Sequence, residues 1–298
     1  MEYALGTVLL DSRPVAALAA QNGWWRLDRV VADVPEGGLR AMMPDWSRLI
    51  DALDHLPDEP LPAAARIDHP RVLAPLLYPN KLVCVGAVYR DHLEQMNLPA
   101  ERWAKMPLFL RPPTTSIVGP GRTIRIPGNV SQFDWEIELA VVLAQPLRNA
   151  TEAQAVAAIA GYTVGIDFGA RDLLDRGSAI GIDLVRAKAQ DSWAPMGPCI
   201  RPAGQIAAPQ DLRLRLWVND ELKQDSTTAN MLFPIAEQLA TISHIISLEP
   251  GDVVFSGSPA GSARSESEFL KPGDRVRAEI EGIGTLEVET YGDEPAAQ

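Results

Sequence analysis

Cysteine, histidine and aromatic side chains are all scarce in this 298-residue sequence, which has two cysteines, four histidines and 6% Phe, Trp and Tyr. Cys84 and Cys199 stand far apart in apolar surroundings (Leu-Val-Cys-Val and Gly-Pro-Cys-Ile), so no Cys-x-x-Cys pair exists for a thiolate metal site or a redox motif. Two core thiols in a reducing compartment is the reading that remains. Positive charge is also short: 27 Lys and Arg against 39 Asp and Glu give a net charge of −12. That deficit argues against a nucleic-acid partner, whose footprint is a basic stripe, and against an anionic membrane surface. It leaves room for a small anionic substrate, which answers to local charge only. No apolar run approaches the roughly 18 residues of a membrane span. Asp11 and Arg13 interrupt the first apolar stretch, where a secretory signal needs continuity, so the expectation is a cytoplasmic protein. Also missing are a G-x-G-x-x-G fingerprint, a P-loop and a G-x-S-x-G nucleophile elbow.

What is present is an ordinary globular composition, 46% hydrophobic and 22% charged, in a chain long enough to bury a dry interior site. Short apolar pieces over residues 4–27, punctuated by Asp-Ser-Arg-Pro and Gln-Asn-Gly, predict a small β-meander, followed by a helix around Trp46–Leu53. Six prolines between residues 56 and 79 forbid a regular helix or central strand there. The chain therefore divides into a small N-terminal module, 1–70, and a main body, 71–298. In the main body, strands are expected at 81–86, 109 onward, 123–126, 133–144, 162–168, 212–218, 251–256 and 275–289. Helices are expected at 151–159, with Thr151 as N-cap, and at 231–246. Strands outnumber helices without alternating with them, which predicts an α+β, β-rich fold: an antiparallel or mixed β core with peripheral helices.

The segment Asp134-Trp135-Glu136-Ile137-Glu138 carries most of the chemical information. On a strand, Asp134, Glu136 and Glu138 share one face, where like charges raise one another's pKa unless a cation intervenes. A hard divalent ion resolves that conflict; so does a face that is simply wet. Asp167 closes the apolar run Tyr-Thr-Val-Gly-Ile and offers a further ligand, or else pairs with an arginine to cap the next helix. His92 follows a strand end, a common place for a general base. Gly257-Ser258-Pro259-Ala260-Gly261 follows a strand and offers backbone N–H groups and a hydroxyl suited to a carboxylate.

In this order, the segments Val-Gly-Ala-Val-Tyr-Arg-Asp-His (85–92), Pro-Leu-Phe-Leu-Arg-Pro (107–112), Asp-Trp-Glu-Ile-Glu-Leu-Ala-Val-Val (134–142), Gly-Tyr-Thr-Val-Gly-Ile-Asp-Phe-Gly-Ala-Arg-Asp (161–172), Lys188 through Gly197-Pro198, and Leu-Glu-Pro-Gly-Asp-Val-Val-Phe-Ser-Gly-Ser-Pro-Ala-Gly (248–261) resemble the fumarylacetoacetate hydrolase family. The resemblance covers about residues 78–290. It implies a mixed β-roll core, a homodimer, and a Mg²⁺ or Mn²⁺ ion (Ca²⁺ can replace it in a crystal) held by Glu136, Glu138 and Asp167. It further implies His92 as general base, Lys188 as the group that neutralises an enolate oxygen, and residues 93–106 as a lid. Tyr89, Arg90, Arg111, Gly257 and Ser258 are the implied contacts to a small keto-acid substrate.

Two positions depart from the family pattern. Hydrolytic members pair the histidine with a glutamate three residues on; here that residue is Gln95, which can orient the imidazole or a water but cannot stabilise an imidazolium. A position that is glutamine in decarboxylating and acylpyruvate-cleaving members is Leu174. The leading expectation is a metal-dependent hydrolase cleaving a carbon–carbon bond in a β-diketo or acylpyruvate-type acid. The alternatives are a keto–enol isomerase, decarboxylase or cyclase using the same metal, and a catalytically silent ligand-binding protein.

Overall fold

The computed structural model describes residues 1–57, 59–175 and 181–293. Its N-terminal meander is built from Tyr3–Leu10, Arg13–Ala20 and Gly23–Arg26, with a helix at Trp46–Asp54. Both connecting turns, Asp11-Ser12 and Gln21-Asn22, take positive φ at both residues, the backbone whose twist matches a tight hairpin. The proline-rich stretch contributes only two-residue strands, Arg66–Ile67 and Arg71–Val72, each paired to the meander.

The meander does not stand apart. Its first strand pairs antiparallel with Ala194–Pro202, through Leu5 opposite Ile200, and joins a twelve-stranded mixed sheet. Beyond Ala194–Pro202 come Ile159–Ile166, Ile137–Leu143, Val253–Phe255, Leu82–Val85 and the edge strand Leu108–Arg111. A separate five-stranded sheet includes the hairpin Arg213–Val218 and Glu221–Thr227, closed by the Asn219-Asp220 turn, and the hairpin Arg275–Ile280 and Gly284–Gly292.

Side-chain alternation makes the large sheet the middle layer. Val83, Val85, Leu139, Val141, Val164 and Val254 face a core shared with Leu214, Leu216, Val276 and Leu286 of the smaller sheet and with the helix Ile235–Ile245. Cys84, Ala140, Val142, Val253 and Phe255 face a second core completed by Leu39, Met43, Trp46 and Leu49. The fold is β-rich α+β with peripheral helices.

Several boundaries differ from expectation, and the strand expected over 275–289 is the hairpin Arg275–Ile280 and Gly284–Gly292. The helix after the Thr151 capping box stops at Ala157, and Ile159 already belongs to the next strand. The helix expected from 231 starts at Ile235, because Pro234 bars the preceding residue from helical backbone and so serves as N-cap. The long strand at 133–144 is two pieces, Phe133–Asp134 and Ile137–Leu143, interrupted at Trp135-Glu136.

Candidate active site

The interruption lies within one hairpin. Asp134 is opposite Gly169 and Ile137 is opposite Ile166, so the register is unbroken and sets Glu136 against Asp167. The Asp167 N–H donates to the Glu136 carbonyl at 2.8 Å. Cross-strand and diagonal neighbours on one face lie close enough for side chains to meet. Hence Glu136, Glu138 and Asp167 present carboxylate oxygens within 4.8 Å of one another. The amide donors freed at the interruption are taken by side chains: Trp135 N by Asp134 Oδ1 at 2.9 Å and Ile137 N by Gln224 Oε1 at 2.9 Å.

This face is not wet. Every residue of Ile137–Leu143 and Ile159–Ile166 is buried, and Glu138 and Asp167 are almost fully enclosed. Burial, reinforced by the Glu136 charge, pushes the Glu138 pKa up to about 8, although Gly257 N donates to its Oε2 at 2.5 Å. Burial opposes ionisation of Glu136 as well, but Lys188 and then His92 outweigh it and hold its pKa below the usual value. Asp134 stays outside the trio. Its Oδ1 accepts from Trp135 N and Ala263 N, its Oδ2 pairs with Arg171, and burial raises its pKa.

Two cations meet the trio. Lys188, at the end of the short helix Leu184–Lys188, places Nζ 2.9 Å from Glu136 Oε2 and 2.8 Å from Asp167 Oδ2. Room for it depends on Gly169, where a Cβ would lie 2.8 Å from Lys188 Cε. Arg111 pairs with Asp167 Oδ1 from beneath, and its guanidinium donates to the Trp193 and Phe168 carbonyls at 3.0 and 2.5 Å. Arg111, expected at the substrate, is therefore enclosed by backbone carbonyls and acts on Asp167.

The donor set fits a hard divalent cation. The oxygens are all carboxylate, an ammonium already stands among them, and opposite ligands of a Mg²⁺ ion lie about 4 Å apart.

Beside the trio is a cavity of about 220 Å³ whose walls include His92, Met96, Glu136, Arg171, Leu174 and Lys188. His92 lies on the helix Arg90–Gln95, and its buried Nδ1 has no hydrogen-bond partner among the described residues. Gln95 does not reach the imidazole: its Oε1 accepts from Gly261 N at 2.7 Å and its Nε2 donates to Ser262 O at 2.8 Å. Gly257, at φ 93°, is confined to glycine, since a Cβ would fall 2.4 Å from Val88 Cγ2. Ser258 Oγ accepts from Gln224 Nε2 at 3.0 Å. Tyr89 OH is buried without a partner, and burial raises its pKa far above the usual value. Arg90 lies at the surface and donates to Ala100 O at 3.1 Å.

Sequence reasoning missed Gln224, which is fully buried and joins Ile137 to the turn at 258–259. A glutamine amid Glu-Leu-Lys-Gln-Asp-Ser-Thr gives no sign of burial. The room made by Gly169 had a faint signal, a glycine two residues after a carboxylate that closes a buried strand.

Comparison with known proteins places this geometry. The family described as fumarylacetoacetate (FAA) hydrolase C-terminal matches residues 81–290. Oxaloacetate tautomerase FAHD2B, mitochondrial, of Homo sapiens is 37% identical over 216 residues, covering 72% of this chain and 67% of the relative. Among solved structures, the 2-hydroxyhepta-2,4-diene-1,7-dioate isomerase of Mycobacterium marinum is 30% identical with a TM-score of 0.72, covering 99% of this chain and 100% of that one. The fumarylacetoacetate hydrolase of Exiguobacterium antarcticum is 27% identical with a TM-score of 0.80, covering 98% and 100%. No helix among the described residues is long and apolar enough to cross a membrane. The acidic hairpin, its lysine and the ordered turn at 257–263 are thus those of a chain that belongs to the fumarylacetoacetate hydrolase family.

Proposed function

We propose that this protein is a divalent-metal-dependent enzyme that interconverts the keto and enol forms of a small 2-keto dicarboxylic acid. The observation that carries the reading is the state of His92 and Gln95. Among the described residues the imidazole Nδ1 has no carboxylate partner, and both polar atoms of the residue three positions on are bound to backbone. Activating a water for carbon–carbon cleavage calls for a stabilised imidazolium; a keto–enol shift only moves a proton between carbon and oxygen.

In this reading Glu136, Glu138 and Asp167 hold the ion, Mg²⁺ or Mn²⁺, which when bound polarises the keto-acid oxygens as a Lewis acid. Lys188 Nζ donates a hydrogen bond to the oxygen that gains charge. The His92 imidazole takes the proton from C3, the carbon beside the keto group, and delivers it to the keto oxygen, so that the enol forms and the base is regenerated. Arg171, at the cavity wall and fixed by Asp134 and Ser262 Oγ, is placed to meet a second carboxylate. Met96, Leu174 and Ala187 supply the apolar part of the cavity wall. We assign this chemistry to residues 71–298. A human relative that carries the name oxaloacetate tautomerase supports the substrate class.

The second reading, hydrolysis of a β-diketo or acylpyruvate-type acid, is favoured by the likeness to a solved fumarylacetoacetate hydrolase. Following enol absorbance of oxaloacetate and of acetylpyruvate, with Mg²⁺ and with chelator, separates the two. Metal-dependent loss of enol signal with no new acid supports tautomerisation, as does deuterium uptake in heavy water at C3, the carbon beside the keto group. Stoichiometric release of pyruvate and a second acid would replace it with hydrolysis, and silence in both assays would favour a ligand-binding protein. His92→Gln should slow the proton transfer by about 10²–10⁴-fold.

A further inference from the structure

The helix that carries His92 spans six residues, Arg90–Gln95, too short to hold its shape unaided, and its N-cap Tyr89 supplies no side-chain bond. Among the described residues no hydrogen bond to Nδ1 fixes the imidazole either. Its orientation must therefore come from where the helix is held. At the N-terminal end, Tyr89 bridges to Met231, Leu232 N donates to Val88 O at 2.8 Å, and Asp91 Oδ2 accepts from Ser226 Oγ and Asn230 Nδ2. At the C-terminal end the side-chain tether is Gln95, with its two bonds to Gly261 and Ser262.

What Gln95 grips is the best-anchored turn in the site. Glu138 fixes Gly257 N, Gln224 fixes Ser258 and Pro259, Trp135 Nε1 donates to Gly261 O at 3.2 Å, Arg171 donates to Ser262 Oγ, and Asp134 accepts from Ala263 N. A short, weakly self-supporting helix is thus tied at its free end to a rigid anchor. We infer that Gln95 is a positioning residue: its two-point amide clamp locks the helix Arg90–Gln95 onto the 257–263 turn and thereby sets the imidazole of His92 over the carboxylates. The catalytic consequence rests on the proposed proton transfer; the clamp itself does not.

The chemistry of the clamp demands an amide. Glutamate keeps the acceptor for Gly261 N but turns its second oxygen on the Ser262 carbonyl, so one bond becomes a repulsion. Gln95→Glu should therefore behave like Gln95→Ala.

Hydrogen exchange and histidine modification test this without a substrate. In both variants the amides of Leu93, Met96 and Leu98, which are hydrogen-bonded in the native helix and the turn after it, should exchange at least about tenfold faster, with the helix Ile235–Ile245 unchanged as internal reference. Diethylpyrocarbonate should modify His92 at least about fivefold faster, while the exposed His55, His69 and His244 keep their rates. Turnover of the keto acid should fall about tenfold or more in kcat with KM within about twofold. Unchanged exchange and modification in Gln95→Glu would overturn the clamp. Faster exchange with unaltered kcat would overturn the positioning role. If the wild-type chain turns over no keto acid, the functional proposal fails and the clamp is decided by exchange and modification alone.

Discussion

The acidic hairpin and the N-terminal meander use the same residue types in opposite ways. In the meander, Arg26 and Asp28 pair with side chains 37% and 31% exposed, and Arg48 pairs with Asp33 in the open. Such pairs gain little over water and contribute about 0–1 kcal/mol each. In the hairpin, Arg111 and Asp167 pair at 0% and 2% exposure, and Lys188 bridges two carboxylates beside them. There desolvation is costly, and the arrangement persists only because every charge is met by another or by a backbone dipole. A cluster that stability alone would not select is what the proposed active site calls for.

The sharpest way to break this contrast is to remove one partner from each kind of pair. Arg111→Met leaves Asp167 buried without its guanidinium and should cost about 3–5 kcal/mol by urea unfolding. If it costs no more than Asp28→Asn, the distinction between the two regions fails. Metal addition comes next: Mg²⁺ at about a hundred times its Kd should stabilise the native protein by about 2.7 kcal/mol, read as a rise in Tm. Glu138→Gln should abolish that rise, and chelation should abolish turnover. Gly169→Ala should push Lys188 out of place and lower kcat by about tenfold, while the fold survives. Thiol titration probes the neutral side of burial. Burial pushes the Cys84 pKa up to about 12 and the Cys199 pKa up to about 11, so at pH 8 both remain protonated thiols and should react only after unfolding. The smallest effect is expected at Asp28. The Arg26 hydrogen bond holds its carboxyl below the ordinary value, so its contribution is present above the unfolded pKa and lost as pH falls through the folded one. The stability difference between wild type and Asp28→Asn, about a few tenths of a kcal/mol, should shrink as pH falls through the folded-state pKa of Asp28.

Local patterns announced most of the fold. Asp11-Ser12, Gln21-Asn22 and Asn219-Asp220 fix three hairpins because residues tolerant of left-handed backbone sit between apolar runs. Thr151 announces its helix by a capping box. The alternation of Glu136 with Glu138 and the position of Asp167 after an apolar run were visible, but their convergence depends on a cross-strand register that no local window contains. Burial on both faces of Ile137–Leu143 was equally hidden, because a two-period acidic pattern looks the same on a wet strand. Arg111 and Gln95 are recognisable by position, yet their partners are carbonyls and amides up to 167 residues away, and backbone groups leave no trace in composition.

Leu82–Val85 and Val253–Phe255 run parallel and adjacent, so both release their chains at the same rim of the sheet. One connection leads to the His92 helix and the other to the turn that Gln95 grips. The ladder fixes where the two connections start, and the bonds from Gly257 N to Glu138 and from Ala263 N to Asp134 tie the second of them back to the acidic hairpin. A change in the length of either connection is therefore felt at the carboxylates, and a rim segment grafted from a relative with another substrate must bring with it the glycine at 257 and the amide at 95.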